Sequence, residues 1–176
     1  MWVAGPAGQA AGAPHDRLCP ADHRRAHPGL QAEIDQLTAA LDPLVASIAP
    51  WLVELPGVGP ITAAQILVSW SSAGRLRSEA AFAALAGTNP IPASSGQVTR
   101  HRLNRSGDRQ LNAALHTIAL TRLRDDPETR ADAAPRTTQG KTRRDVKRCL
   151  KRSIARQLFK LLERYDQPSV EIIRTA

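Results

Sequence analysis

The chain has 176 residues with 24 Lys or Arg against 16 Asp or Glu, a net charge of +8. That length suits one ordinary core and excludes two sizeable domains, while the charge points to a polyanionic partner, either nucleic acid or a membrane surface. Two widely separated cysteines exclude a disulfide framework, and no stretch approaches the roughly 20 apolar residues of a membrane span, so no membrane partner and a cytoplasmic location are expected.

The positive charge is concentrated. From Val98 to Tyr165 there are 18 Lys or Arg against 7 Asp or Glu, and elsewhere 6 against 9. Residues 1–28 are rich in Ala, Gly and Pro and read as a disordered, low-complexity leader. Within it His15, Cys19, His23 and His27 recur every fourth residue, a set of metal-ligand types. Pro20 breaks the helix that would align them and the spacing is not that of a usual zinc module, so both coincidence and metal binding stay open.

Residues 29–53 read as a coiled-coil-like helix. Leu30, Ile34, Leu37, Leu41, Leu44 and Ile48 alternate steps of four and three, a spacing that serves either a core-facing helix pair or a seam between two copies of the chain. Asp42-Pro43 is expected to break the helix and restart it with a bend. Next comes Leu55-Pro56-Gly57-Val58-Gly59-Pro60, between short apolar helices at Trp51–Leu55 and Ile61–Trp70. This reads as a helix-hairpin-helix over residues 51–70. The glycines permit a tight turn and Pro60 suits a first helical position. Backbone N–H groups and a helix N-terminus then converge on one spot that fits a phosphate. Gly57, Val58, Gly59 and Thr62 are the candidate contacts; the alternative is a turn that packs a neighbouring helix and holds no ligand.

Ser78 caps a helix that Gly87 stops, and Asn89-Pro90 to Ser95-Gly96 is a proline-punctuated loop. Gln97-Val98-Thr99 is the one extended piece expected. Asp108 caps a helix burying Leu111, Ala114, Leu115 and Ile118; Asp126-Pro127-Glu128 opens another, which Ala134-Pro135 ends. Thr142-Arg143-Arg144-Asp145 resembles a capping box opening a long helix to about Arg164. Val146, Cys149, Leu150, Ile154, Leu158, Leu161 and Leu162 form its core stripe. Arg143, Arg144, Lys147, Arg148, Lys151, Arg152, Arg156, Lys160 and Arg164 lie on its other face. The fold class is therefore all-α, a helical domain built around a helix-hairpin-helix.

Two further groups are candidates for chemistry. Ser95, or Ser94 beside it, sits before a glycine that leaves room for a phosphate, and Arg100, Arg102 and Arg105 follow to balance charge; serines and glycines also simply make turns. The basic face of the last helix, with Lys141 before it and Arg143, Arg144, Lys147, Arg148, Lys151 and Arg152 along it, is either a solvated surface or a binding face for a DNA or RNA backbone. Aromatic residues make up 3% of the chain, which argues against base stacking on an aromatic platform.

Taken in order, Leu55 to Ala64, Phe82-Ala83-Ala84-Leu85-Ala86-Gly87, Asn89-Pro90 to Ser95-Gly96, Gly107-Asp108-Arg109-Gln110-Leu111-Asn112 and Gly140-Lys141-Thr142-Arg143 resemble the C-terminal domain of insertion-sequence transposases of the 110/116/902 type. The resemblance covers roughly residues 30–164. It implies a recombinase that joins DNA through a serine and is guided by a structured RNA, with Ser95 as nucleophile and Ser94 as fallback. The family's N-terminal, acidic nuclease-like domain binds a divalent metal, expected to be Mg2+; the leader stands in its place here, so no cofactor is expected in this chain and catalysis is expected to be incomplete in it alone. Pro135 departs from the family pattern by shortening a helix. A truncated transposase copy, with residues 51–166 as the transposase domain and 167–176 as a tail, is the resulting expectation. The competing reading is a non-catalytic helix-hairpin-helix module.

Overall fold

The computed structural model describes residues 28–94, 101, 102, 104 and 106–165. They form helices α1 (Pro28–Ile48), α2 (Pro50–Val53), α3 (Pro60–Trp70) and α4 (Glu79–Leu85), the ribbon β1 (Ile91–Pro92) and β2 (His101–Arg102), then α5 (Arg109–Asp125), α6 (Pro127–Thr138) and α7 (Arg143–Tyr165). The all-α class holds. The leader, Gln97-Val98-Thr99 and the tail lie outside the described residues. The chain divides into compact units after Leu37. In the first, Leu30, Ile34 and Leu37 are exposed and the Gln31 amide donates to Asp35 at 2.8 Å. The rest of this section concerns residues 38–165.

The helices start where local chemistry caps them. Ser78 Oγ accepts the Ala81 N–H at 3.1 Å, and Asp108 Oδ1 accepts those of Gln110 and Leu111 at 2.8 and 3.1 Å. Asp126 caps α6 through the Glu128 and Thr129 N–H groups, and Thr142 Oγ1 accepts the Asp145 N–H at 3.3 Å at the head of α7. Each such cap satisfies donors that the first helical turn leaves unpaired and contributes about 1 kcal/mol.

The core lies where α5 packs against both α3 and α7, with α4 also against α7. Leu111, Leu115 and Ile118 of α5 are fully buried among Ala63 and Ile66 of α3, Phe82 of α4, and Ile154 and Leu158 of α7. Side chains of this size each stabilise by roughly 1.5–3 kcal/mol when removed from water. One polar tie closes the far end: Glu163 of α7 accepts from Trp70 Nε1 at 3.0 Å and from the Gly74 N–H at 3.2 Å. The expected stripes of α5 and α7 are present, except that Cys149 and Leu161 are only half-buried and Ala155 joins the core.

Three expectations change. Within residues 38–48 the core-facing side chains of α1 are Val45 and, partly, Leu41, followed by Ala49, while Leu44 and Ile48 are 60% and 69% exposed. Of the heptad positions in this stretch, Leu41 alone therefore meets this domain's core. Pro43 does not break α1, which continues through it. The lost N–H leaves the Ala39 carbonyl without its helical donor, and Ala39 is exposed, so water can replace it. Likewise α6 passes through Pro135 to Thr138, with exposed Ala131 in the same position and the Gln139 N–H returning to the Pro135 carbonyl at 3.0 Å.

Candidate functional site

The turn between α2 and α3 gives its two glycines different tasks. Gly57 has φ +75° and packs onto α5: a Cβ there would lie 3.1 Å from the Ile118 carbonyl oxygen and 3.2 Å from Arg122 Cγ. Gly59 has open space around it, and its N–H is taken by Thr62 Oγ1 at 3.0 Å, which in turn donates to the Gly59 carbonyl at 2.9 Å. Val58 is buried in the core. Of the four candidate contacts here, Gly57 and Val58 thus face the protein, and Gly59 and Thr62 form the outer corner at the α3 N-terminus.

Arg122 locks this turn in place. It is 7% exposed, its Nε donates to the Pro56 carbonyl at 2.7 Å, and its Nη1 donates to Gln157 Oε1 of α7 at 2.9 Å. Burial pulls its pKa down and nearby Asp126 partly offsets this. Its Nη2 is buried without a partner among the described residues, beside a cleft of ≈ 280 Å³ lined by Pro56, Gly57 and Asp126 among others. Arg122 was not singled out from the sequence. The available signal was its register, four residues after Ile118 on the buried stripe of α5.

The second region is the neck of the serine loop. Gly87 has φ +63° and Gly107 φ +106°, and the two strands of chain touch there. A Cβ on Gly87 would sit 2.8 Å from the Ser106 carbonyl oxygen, and one on Gly107 would run into the Leu85 carbonyl. The Asp108 N–H donates to that same Leu85 carbonyl at 2.7 Å. Further along, buried Asn104 donates to Asn89 and accepts from the Ser106 N–H at 2.9 Å and hydroxyl at 2.7 Å. Antiparallel pairing of Ile91 with Arg102 and Pro92 with His101 completes the clasp. Both limbs of the loop are therefore held before its tip. Ser94 is exposed at the end of the outgoing limb and Arg102 is exposed on the returning one; Ser95, Arg100 and Arg105 lie outside the described residues.

The basic helix is divided in use. Lys141, Arg143 and Arg144 are exposed at its head, Lys147 and Arg152 are half-buried, and Arg148 pairs with Asp145 at 3.3 Å. Lys151 is half-buried, its Nζ donating to Asn112 Oδ1 at 2.6 Å, and burial lowers its pKa. Asn112 Nδ2 donates in turn to the Ala86 carbonyl, next to the loop neck. Further down, Arg156 bonds Glu79 of α4 and Lys160 lies 3.5 Å from its second oxygen; Glu79 is held below its usual pKa, mainly by the Arg156 bond. Among the described residues no three His, Cys, Asp or Glu side chains are grouped to hold a metal ion, and no helix is long and apolar enough to cross a membrane.

Residues 49–134, from the end of α1 through the loop neck and into α6, match the model of the family described as Transposase IS116/IS110/IS902. Over these residues the chain is similar to the C-terminal region of that transposase family. A 43.6 kDa uncharacterized protein of insertion element IS110 from Streptomyces coelicolor is 33% identical over 142 residues. The aligned stretch is 80% of this chain and 33% of that protein, so the chain spans about a third of its curated relative. The family match contains the α2–α3 turn, Arg122 and both neck glycines, and ends before the basic helix α7.

Proposed function

We propose that residues 38–165 are the strand-holding, serine-bearing part of an IS110-type transposase. In this reading Ser95, with Ser94 as fallback, attacks a DNA phosphodiester. The corner at Gly59 and Thr62 and the head of α7 hold the backbone of DNA, and of a guide RNA where the element supplies one. A divalent metal, Mg2+ by chemistry, would be supplied from outside these residues. It would offset charge on the phosphate and leaving group. The exposed Leu44 and Ile48, in register with Leu30, Ile34 and Leu37, fit a seam between copies of the chain.

The observation that carries the reading is the clasped neck. Gly87 and Gly107 cannot accept side chains, and Asn104 bridges the two limbs, so the limb that ends at Ser94 leaves a fixed base, with Arg102 on the limb paired to it. A nucleophile needs that positional control; a solvent turn does not.

The test is a covalent trap. The chain is mixed with a nuclease-like partner domain, Mg2+ and a nicked DNA duplex. A protein–DNA adduct is expected that disappears in Ser95→Ala and persists in Ser94→Ala. Adducts that persist in both variants, or that never form while DNA binding is intact, would leave a non-catalytic helix-hairpin-helix binding module.

A further inference from the structure

The outgoing limb of the serine loop is held by the start of α5 at two successive carbonyls. Leu85 accepts the Asp108 N–H at 2.7 Å, and Ala86 accepts the Asn112 side-chain amide. Ala86 is fully buried, so its carbonyl needs a donor. Gly87 follows at once, and a Cβ on it would come within 3.3 Å of Asn112 Nδ2, which puts the amide directly against the neck. The first hold is backbone to backbone. The second is made by a side chain and responds to whatever else that side chain meets. It meets α7, where Lys151 Nζ donates to Asn112 Oδ1 at 2.6 Å. We propose that Lys151 and Asn112 are positioning residues for the loop that carries Ser94, with Lys151 acting on the neck through the Asn112 amide rather than by holding a phosphate.

An ammonium can only donate a hydrogen bond and a carbonyl can only accept one. Set between the two, the Asn112 amide has a single orientation that satisfies both, with Oδ1 toward Lys151 and Nδ2 toward Ala86. The bond from the ammonium is charge-assisted, and by drawing electron density toward Oδ1 it makes the Nδ2 hydrogens better donors to Ala86. Lys151 is half-buried with its ammonium already engaged, unlike the exposed Arg143 and Arg144 at the head of the same helix. The relay from Lys151 through Asn112 to Ala86 thus joins α7, α5 and the end of α4 where the loop departs. Removing the ammonium frees the amide to turn over, and the buried Ala86 carbonyl is then left with a weaker donor.

That the loop does chemistry rests on the proposed function; the tie between α7 and the neck does not. Amide exchange is followed by NMR in the full chain and in Lys151→Met, Asn112→Ala, the double variant and Lys151→Arg. In Lys151→Met the Gly87 and Asp108 amides, which bond Ala84 and Leu85, are expected to exchange about 10-fold faster, while those of Leu115 and Ile118 in the core keep their rates. The double variant should match Asn112→Ala, because the lysine acts through the amide, and Lys151→Arg should restore most of the protection. With the nuclease-like partner, Mg2+ and saturating nicked duplex, Lys151→Met should form the Ser95 adduct about 10-fold more slowly. Duplex affinity should stay within about twofold, and the salt slope should lose under half of the roughly 0.9 that one phosphate contact carries. Neck amides unmoved in Lys151→Met, or effects of the two substitutions that simply add, would overturn the proposal. A slope flattened by the full value of about 0.9, with the adduct rate at saturation unchanged, would make Lys151 a phosphate contact instead. Faster neck exchange with no adduct in any form of the chain, the unsubstituted one included, would uphold the tie and remove the serine reading.

Discussion

The two ends of α7 carry the same residue types on the same outer face, but different surroundings. At the head, Lys141, Arg143 and Arg144 project into solvent and Lys147 is half-buried, with Asp145 drawn to Thr142 and Arg148. At the tail, Arg156 and Lys160 converge on Glu79 of α4. A helical-wheel count assigns both ends to one binding face. Three-dimensional pairing separates them: the tail's charges are already partly neutralised and help dock α4, while the head's remain available to an anion. Formal charge is therefore a poor guide to where a polyanion lies unless each cation's existing partner is known.

The most forceful way to break this division is to remove the head. Arg143→Ala, Arg144→Ala and Lys147→Ala together should lower duplex affinity by about 10–100-fold and flatten the slope of log affinity against log salt by up to about 3. Arg156→Ala with Lys160→Ala should leave that slope unchanged. Equal effects from the two sets, read by anisotropy over a salt series, would erase the distinction.

A smaller effect comes from releasing the tail. Glu79→Gln removes the charge that pairs with Arg156 and Lys160 and should steepen the salt slope by about 1–2, extending the footprint along α7. Its effect on stability should be small, because exposed ion pairs are screened by solvent. A slope that does not move would mean the bound strand never approaches this end.

The smallest effect is in pH. His116 has its pKa lowered in the fold, so the unfolded chain takes up that proton first. The associated stability is complete above the ordinary histidine value of roughly 6.5 and is lost as pH falls through the folded value. Denaturant midpoints should therefore decline between about pH 7 and 5, by under about 1 kcal/mol given the exposure of the ring, and His116→Gln should remove that component. Asp108, lowered chiefly by the Ser69 hydroxyl, gives a separate decline near and below pH 4.

Local chemistry was readable from sequence. Ser78, Asp108 and Thr142 cap helices because a short oxygen-bearing side chain lies directly before an apolar-periodic run, and that signal needs no distant partner. The proline readings were weaker: Pro43 and Pro135 each remove one helical donor, but the orphaned carbonyls belong to exposed alanines, where water makes the loss tolerable. The heptad of α1 could be counted but not oriented, since Val45 and Ala49 form a second stripe one position away and only packing decides which is covered. Arg122, Asn104 and Glu79 were missed for a common reason. Their roles depend on partners distant in sequence, such as Asn89, 15 residues from Asn104, and Arg156, 77 residues from Glu79, and no single-sequence period encodes such pairings. The ordered motifs carry the family resemblance without any of these contacts, while the contacts separate side chains that hold the fold from those left exposed.

The neck at Gly87 and Gly107 has a consequence for how such a chain can change over time. Once two limbs are cinched by backbone contact, the fold no longer depends on what lies between them, and doubling the length of a flexible loop costs only about 0.6 kcal/mol in closure entropy. Lengthening the segment between Pro92 and His101 should thus cost the helices beneath it little stability. The two glycines bear the opposite burden: Gly87 is blocked by the Ser106 carbonyl and Gly107 by the Leu85 carbonyl, so neither can be replaced unless the crossing itself is rebuilt. A module made this way keeps its attachment point fixed whatever the length of the segment it carries.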